Sequence, residues 1–450
     1  MSEPQPTSRR TGRWIDHWEP EDPGFWAATG RRVATRNLIL SIVVEHLGFT
    51  VWLLWSAIVV LLPRAGFPFT VDQLFWLVAV PNLVGATLRL PYTFAVSAFG
   101  GRNWNVASAL LLLVPVGLLA WMVSDPHTPY WMFLVAAATA GLGGGNFASS
   151  MANVSYFYPE RRKGFALGVN AAGGNLGVAV VQLVVPFVAV SGLVNAGLVW
   201  IAPIVVAAVC AYFLMDNLAV AKTDFSTQSR AFRRKHTWVM SFLYIGTFGS
   251  FIGYSAAFPL LVKATFPESG ATYSAFLGAL VGSLARPVGG WLADRRGGAR
   301  VTAWSFAVMA VGVLGALAGL RQHSFPLFLG AFALLFVASG LGNGSTYRMI
   351  PAIFTAQAER EAAEGATRAD AGLRARREAA AAIGIASAVG AFGGFLIPRG
   401  FAMSLGQTGS VDLALYLFLG GYVVFLATNW WFYRRRVLLA RVPSLAHGRI

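Results

Sequence analysis

Charge is scarce in this chain, and acid scarcer still. Only 12% of the 450 residues are charged, and 35 Lys and Arg face 19 Asp and Glu, whereas soluble domains carry roughly 25% charged residues. A chain 56% hydrophobic with mean hydropathy +0.59 cannot clothe itself for water, which excludes an ordinary soluble domain. The single cysteine, Cys210, excludes an intramolecular disulfide framework and reads as a small apolar helix residue. Cys/His metal spacing, a phosphate-binding loop and a nucleophile triad are all missing, so neither a cofactor nor enzymatic chemistry is expected. His236, His127 and His323 read as solvated residues of the linker and outer loops. Residues 1–35 have no apolar core of the signal-peptide kind, so the first long helix is expected to be retained.

What is present is apolar length. Twelve segments of spanning length can be marked, at about 37–62, 72–98, 105–124, 130–157, 164–190, 192–215, 237–261, 272–292, 301–320, 326–354, 379–402 and 411–433. Strand-type alternation is weak throughout, so the chain reads as an all-α membrane protein of twelve transmembrane helices. With the N-terminus inside, 28 of the 35 Lys and Arg fall in the N-tail, the even-to-odd loops and the C-tail. Only Arg64, Lys263, Arg321 and Arg399 fall outside, and Arg89, Arg286 and Arg348 lie within helices. The positive-inside rule therefore puts both termini in the cytoplasm, and charge so placed serves topology and lipid contact rather than nucleic acid. The expected organisation is an N-tail (1–36), a six-helix bundle (37–216), a basic linker (217–236) with Lys222, Arg230, Arg233, Arg234 and Lys235, a second six-helix bundle (237–433) and a C-tail (434–450). A polar stretch at 355–378, rich in Ala, Glu and Arg, reads as a solvated cytoplasmic loop that could form a surface helix with paired charges.

The two halves repeat. Arg89 lies eleven residues before Gly100-Gly101, and Arg286 lies eleven residues before Gly297-Gly298, an offset of 197. Gly141-Leu-Gly-Gly-Gly-Asn-Phe mirrors Gly340-Leu-Gly-Asn-Gly-Ser-Thr at a nearly equal offset of 199. A guanidinium at membrane depth is costly and usually functional. Parallel six-helix repeats place their site near the midplane between the halves, and two guanidiniums facing one cavity make an anion site. The plainer reading, in which each arginine only bonds helix carbonyls or a structural acid, is opposed by the repetition and by the shortage of acids. The glycines of helices 4, 5 and 11 suit close packing, sliding of the helices, or both.

Several motifs carry a family resemblance. Gly-Arg-Asn-Trp after helix 2, Asn146-Phe-Ala-Ser-Ser-Met-Ala-Asn153, Gly164-Phe-Ala-Leu-Gly-Val-Asn-Ala-Ala-Gly-Gly-Asn-Leu-Gly177 and Gly390-Ala-Phe-Gly-Gly-Phe-Leu-Ile-Pro398 resemble the nitrate/nitrite porter family, in its bacterial NarK-type branch. That family belongs to the major facilitator superfamily, whose loop signature appears as Gly290-Trp-Leu-Ala-Asp-Arg-Arg-Gly-Gly-Ala-Arg300, with a degenerate counterpart at 97–104. The resemblance covers about 36–433 and implies two pseudo-symmetric six-helix bundles. It also implies that Arg89 and Arg286 bind the anion, that Asn175 belongs to the nitrate signature, that Phe147 covers the anion, and that Tyr244 and Phe248 supply a hydrogen bond and a second aromatic wall. Flat anions with in-plane oxygens suit guanidinium forks between aromatic faces.

The function so implied is inner-membrane transport of nitrate and nitrite by a monomer, most simply as antiport. Two like charges resist closure without a counter-ion, so the empty carrier should reorient rarely. Departures from the family's pattern are Glu45 and His46 in helix 1 and Arg348 in helix 10. Glu45 or His46 could couple a proton in nitrate/proton symport, or Glu45 and Arg348 could bridge the halves when the inner gate closes. A non-transporting nitrate sensor or a partner of a membrane nitrate reductase is the reading from another class.

Overall fold

Hydrocarbon offers no partner to a bare peptide group, so apolar runs without alternation must close their hydrogen bonds within helices. The computed structural model describes residues 9–10, 13–221, 230–269, 274–363, 365 and 367–435 and is helical almost throughout. The first crossing is α1 (Arg31–Trp52) with α2 (Leu54–Ile58), divided at Leu53. In the same half follow α3 (Val71–Phe99), α4 (Gly101–Leu111) with α5 (Leu113–Met122), α6 (Tyr130–Phe157), α7 (Glu160–Val188), and α8 (Asn195–Leu198) with α9 (Ile201–Leu214). The second half holds α10 (Lys235–Tyr244) joined to α11 (Ser250–Thr265) by a wide turn at Ile245–Gly249, then α12 (Phe276–Arg296), α13 (Gly298–Arg321) and α14 (Phe325–Ala363). It ends with α15 (Arg368–Ala391), α16 (Gly393–Thr408) and α17 (Asp412–Tyr433). Eleven crossings are long and apolar enough to span a membrane; the first reaches that apolar length when α1 and α2 are taken together.

Backbone geometry repeats with the sequence. Gly100 (φ 88°) ends α3 and Gly297 (φ 87°) ends α12, and each hands the chain directly to the next helix. A side chain at either φ would be strained, so the Gly-Gly pairs are turn devices set eleven residues past each arginine. The repeated glycine runs press α6 onto α3 and α14 onto α12: a Cβ on Gly144 would lie 2.8 Å from Gly85 Cα, and one on Gly340 would lie 2.1 Å from the Gly282 carbonyl oxygen. Gly164 and Gly168, in contrast, face open space, so the glycines of α7 serve packing only from Gly173 onward.

The stretch 355–378 takes the helical alternative. It is mostly helix, because α14 continues to Ala363 and α15 starts at Arg368; Ala, Glu and Arg are good helix formers even where no apolar face drives packing. Arg234, just before α10, holds these extensions, with Nε 2.7 Å from Glu378 Oε2 and Nη2 3.1 Å from Glu361 Oε1. At the same end the short strand β2 (Trp14–Ile15) pairs antiparallel with β1 (Arg9–Arg10) and parallel with β3 (Asn217–Leu218). Buried Asp216 takes ion pairs from Arg13 and Arg36. Part of the N-tail is thus fastened to the end of α9. Lys222 and the C-tail beyond Arg435 lie outside the described residues.

Candidate functional site

Arg89 on α3 and Arg286 on α12 come from opposite halves to one aromatic ring. The Arg89 guanidinium carbon lies 4.7 Å from the Phe147 centroid and that of Arg286 lies 5.3 Å from it. Both arginines are buried, at 0% and 3% exposure, so a full charge from each half sits away from water. Arg89 Nε donates to the Gly144 carbonyl at 3.0 Å, and Nη1 donates to the Ser387 carbonyl on α15 at 2.9 Å. The plainer reading therefore holds for part of Arg89: it does bond helix carbonyls, and one of them belongs to the other half. Arg286 Nη2 donates to the Tyr244 hydroxyl at 3.2 Å. Arg89 Nη2 and Arg286 Nη1 have no hydrogen-bond partner among the described residues.

Aromatic faces line the remaining sides. Phe147 and Phe248 are near parallel, 6.0 Å apart at 23°, and Phe248 stacks on Tyr244 at 5.3 Å and 15°. The wide turn at Ile245–Gly249 adds a residue to the helical repeat between Tyr244 and Phe248, a device common at functional positions. The Arg89 guanidinium also lies 4.8 Å from Phe248 and 5.1 Å from Trp52. Such contacts offset part of the cost of burying a cation.

Four of the other expected residues thus fall at or beside the pair: Phe147, Tyr244 and Phe248 in contact, and Glu45 within electrostatic reach of both guanidiniums; Asn175, on α7, is buried with both amide atoms lacking a partner among the described residues. His46 is not brought in; its Nδ1 meets the Gly173 carbonyl at 3.0 Å at a helix contact. Arg348 does not reach Glu45. It pairs with Asp294 at half-exposed positions (50% and 53%), while Glu45 accepts from Asn170 Nδ2 in the interior, so the expected Glu45–Arg348 bridge is absent from this closed site. The neighbour of Arg348 is the inward residue. Consecutive helix positions point about 100° apart, and Tyr347 sits with its ring 5.6 Å from the Arg286 guanidinium and its hydroxyl unpartnered.

Sequence reasoning also passed over Trp52, Asn146 and Asn343. The two asparagines are buried with all amide atoms unpartnered, and both stand inside the repeated glycine runs of α6 and α14, the signal that could have named them. His236, expected in solvent, is partly buried and shares a hydrogen bond of 3.0 Å with the Tyr433 hydroxyl.

The halves close over this site at both ends. At the end away from the termini, Gln182 Nε2 donates to the Ser255 carbonyl at 2.7 Å and to Ser56 Oγ at 3.0 Å, and Lys263 reaches the Val60 carbonyl. Arg399 Nη1 pairs with Asp72 at 2.8 Å while its guanidinium rests 4.0 Å from the Trp76 ring. At the terminal end α3 meets α15 through the Arg89–Ser387 bond and through Gly384, where a Cβ would approach Thr93 Cγ2 to 2.8 Å.

Comparison with known proteins decides the family, since the Major Facilitator Superfamily profile matches residues 46–398. The chain belongs to that superfamily. The nitrate/nitrite transporter NarU of Escherichia coli strain K12 is 42% identical over 93% of this chain and 96% of its own. The probable nitrate/nitrite antiporter NarK2 of Thermus thermophilus is 37% identical over 94% of this chain and 97% of its own. These relatives place the chain in the porter branch that its motifs resemble. Among solved structures, the human organic anion transporter MFSD10 superposes with a TM-score of 0.62 at 15% identity, covering 89% of this chain and 99% of that one. A D-xylose-proton symporter gives 0.63 at 16%, covering 87% and 97%. Both share the fold of this chain.

Proposed function

We propose that the chain carries nitrate and nitrite across the inner membrane in exchange for one another, by alternating access, with one anion held between Arg89 and Arg286. The observation that carries this reading is the pair itself: two buried guanidiniums, one from each half, share the Phe147 ring, and each keeps an η nitrogen without a protein partner. Donors so placed attract an anion with in-plane oxygens. The rings of Phe147 and Phe248, 6.0 Å apart, leave less than the about 7 Å that a flat ion needs between two van der Waals faces. An arriving anion therefore parts the halves at this point, and its guanidinium bonds draw them together again. Names of relatives such as NarU and NarK2 support the choice of anions, and the second of them supports exchange.

In this reading residues 37–216 and 237–433 are the two rocking bundles, 217–236 is the basic linker, and 1–36 and 434–450 are cytoplasmic tails, in keeping with the 28 Lys and Arg on that side. A monomer suffices, since each arginine comes from a different half of one chain, and the anion passes without chemical change. The end carrying Arg13, Asp216 and Arg234 is then cytoplasmic, and the end carrying Arg399 and Asp72 faces outward. Labelled nitrate uptake into proteoliposomes tests the proposal: uptake should require internal nitrite and proceed without an imposed proton gradient. Uptake driven by the gradient without internal anion would replace exchange with proton symport.

A further inference from the structure

The charge of this site is not settled by its two arginines. Glu45 on α1 is fully buried, and its carboxylate stands within electrostatic reach of both Arg286 and Arg89. Its place is built. Asn170 Nδ2 donates to Oε2, Ser150 lies in hydrogen-bonding reach, and Asn170 is itself held by Ser150 Oγ at 2.8 Å. The α7 backbone makes room at Gly174, where a Cβ would come within 2.4 Å of Oε1, and Oε1 has no partner of its own. Ionising a buried carboxyl that lacks full hydrogen-bond satisfaction is costly, and opposite charges facing it offset part of that cost.

We infer that Glu45 is the third charged member of the anion site, a residue whose carboxylate, when ionised, sets the formal charge of the site at +1 rather than +2 and so its preference for one singly charged anion. This rests on the anion-transport reading above. Two guanidiniums and one carboxylate leave a single positive charge, which one nitrate or nitrite cancels, so that the loaded, closed site is neutral as a whole. The empty site carries one uncompensated charge instead of two, which lowers the cost of closing and limits how tightly the anion is held. Glu45 acts through space and need not touch the anion. The charged or titratable groups around it are Arg89 on α3, Arg286 on α12, Tyr244 at the end of α10 and Tyr347 on α14. On its own helix, His46 is turned to the Gly173 carbonyl. A protonated Glu45 is electrically equivalent to glutamine, so proton and anion binding favour one another.

The test is nitrate binding to the purified full-length protein by calorimetry, from about pH 6 to about pH 9, with parallel proteoliposome exchange. Glu45→Gln should bind nitrate at least about tenfold more tightly than wild type at the alkaline end, where the carboxylate is ionised. It should release nitrate more slowly in exchange. Wild-type affinity should rise toward that of the variant as pH falls, while the variant stays flat. Glu45→Asp keeps the charge and should keep the pH dependence, which a purely structural role would not require. Equal or weaker binding by Glu45→Gln across the range, with no difference in pH profile, overturns the assignment of Glu45; should that variant fail to fold, a pH-independent wild type or Glu45→Asp does the same. A wild type that binds neither nitrate nor nitrite overturns the transport reading instead.

Discussion

Replacing Arg89 with lysine keeps a positive charge and removes a shape, and the structure lets the loss be sized. Arg89 holds the Gly144 carbonyl with Nε and the Ser387 carbonyl with Nη1, and still presents Nη2. A lysine ammonium directs three donors from one atom, so it cannot hold two carbonyls on different halves and also receive an anion. At least one charged hydrogen bond and the bidentate grip are lost, each about 1.5–3 kcal/mol. With the Coulomb attraction retained, a net loss of about 3 kcal/mol corresponds to exchange slowed on the order of a hundredfold. The assay is labelled nitrate uptake into nitrite-loaded proteoliposomes at equal reconstituted protein, with thermal unfolding followed by tryptophan fluorescence. Arg286→Lys supplies the contrast, because Arg286 makes one side-chain hydrogen bond among the described residues, to Tyr244: transport should fall comparably, while Tm falls less than in Arg89→Lys. Uptake by Arg89→Lys within threefold of wild type would refute the fork argument. Equal Tm losses in the two variants would refute the bridging role of the Ser387 bond.

Tyr244→Phe removes the hydroxyl that Arg286 Nη2 meets at 3.2 Å, and should raise the KM for nitrate about tenfold, for one charged hydrogen bond of about 1.5 kcal/mol, with the stacked ring retained. Arg348→Gln should leave nitrate affinity within about twofold, since a half-exposed ion pair is worth little and Arg348 faces Asp294 rather than the cavity; a tenfold change in calorimetric affinity would return Arg348 to the site. Arg399→Gln breaks the Arg399–Asp72 pair, whose acid is 57% exposed, and should shift the carrier toward opening at that end by about fivefold or less. Thiol labelling of a cysteine introduced near the site reads that shift, and unchanged labelling would remove the pair from the latch. Gly297→Ala forces a side chain to φ 87° and should cost about 1–2 kcal/mol, seen as a lower Tm; an unchanged Tm would contradict the assignment of the Gly-Gly pair as a turn.

Composition, apolar length and the doubled frame were enough to determine the class of this protein, its twelve crossings and the two arginines worth finding. These features are legible because hydrocarbon imposes its demand on every residue in turn: a span must be long and apolar, and a charge within it stands out. The resemblance added Asn175, Phe147, Tyr244 and Phe248, whose types suit a flat anion but whose convergence no spacing could prove. Tertiary structure decided which side of each helix faces the site. Tyr347 faces in while Arg348 turns out to Asp294, and Glu45 faces in while His46 meets a neighbouring backbone. A rotation of about 100° per residue separates these fates, and it is set by how the glycines of α6, α7 and α14 seat one helix on another. The partners of Arg89 were likewise out of reach, because Gly144 and Ser387 offer carbonyl oxygens that every residue possesses; only the fold says which of them point at a guanidinium.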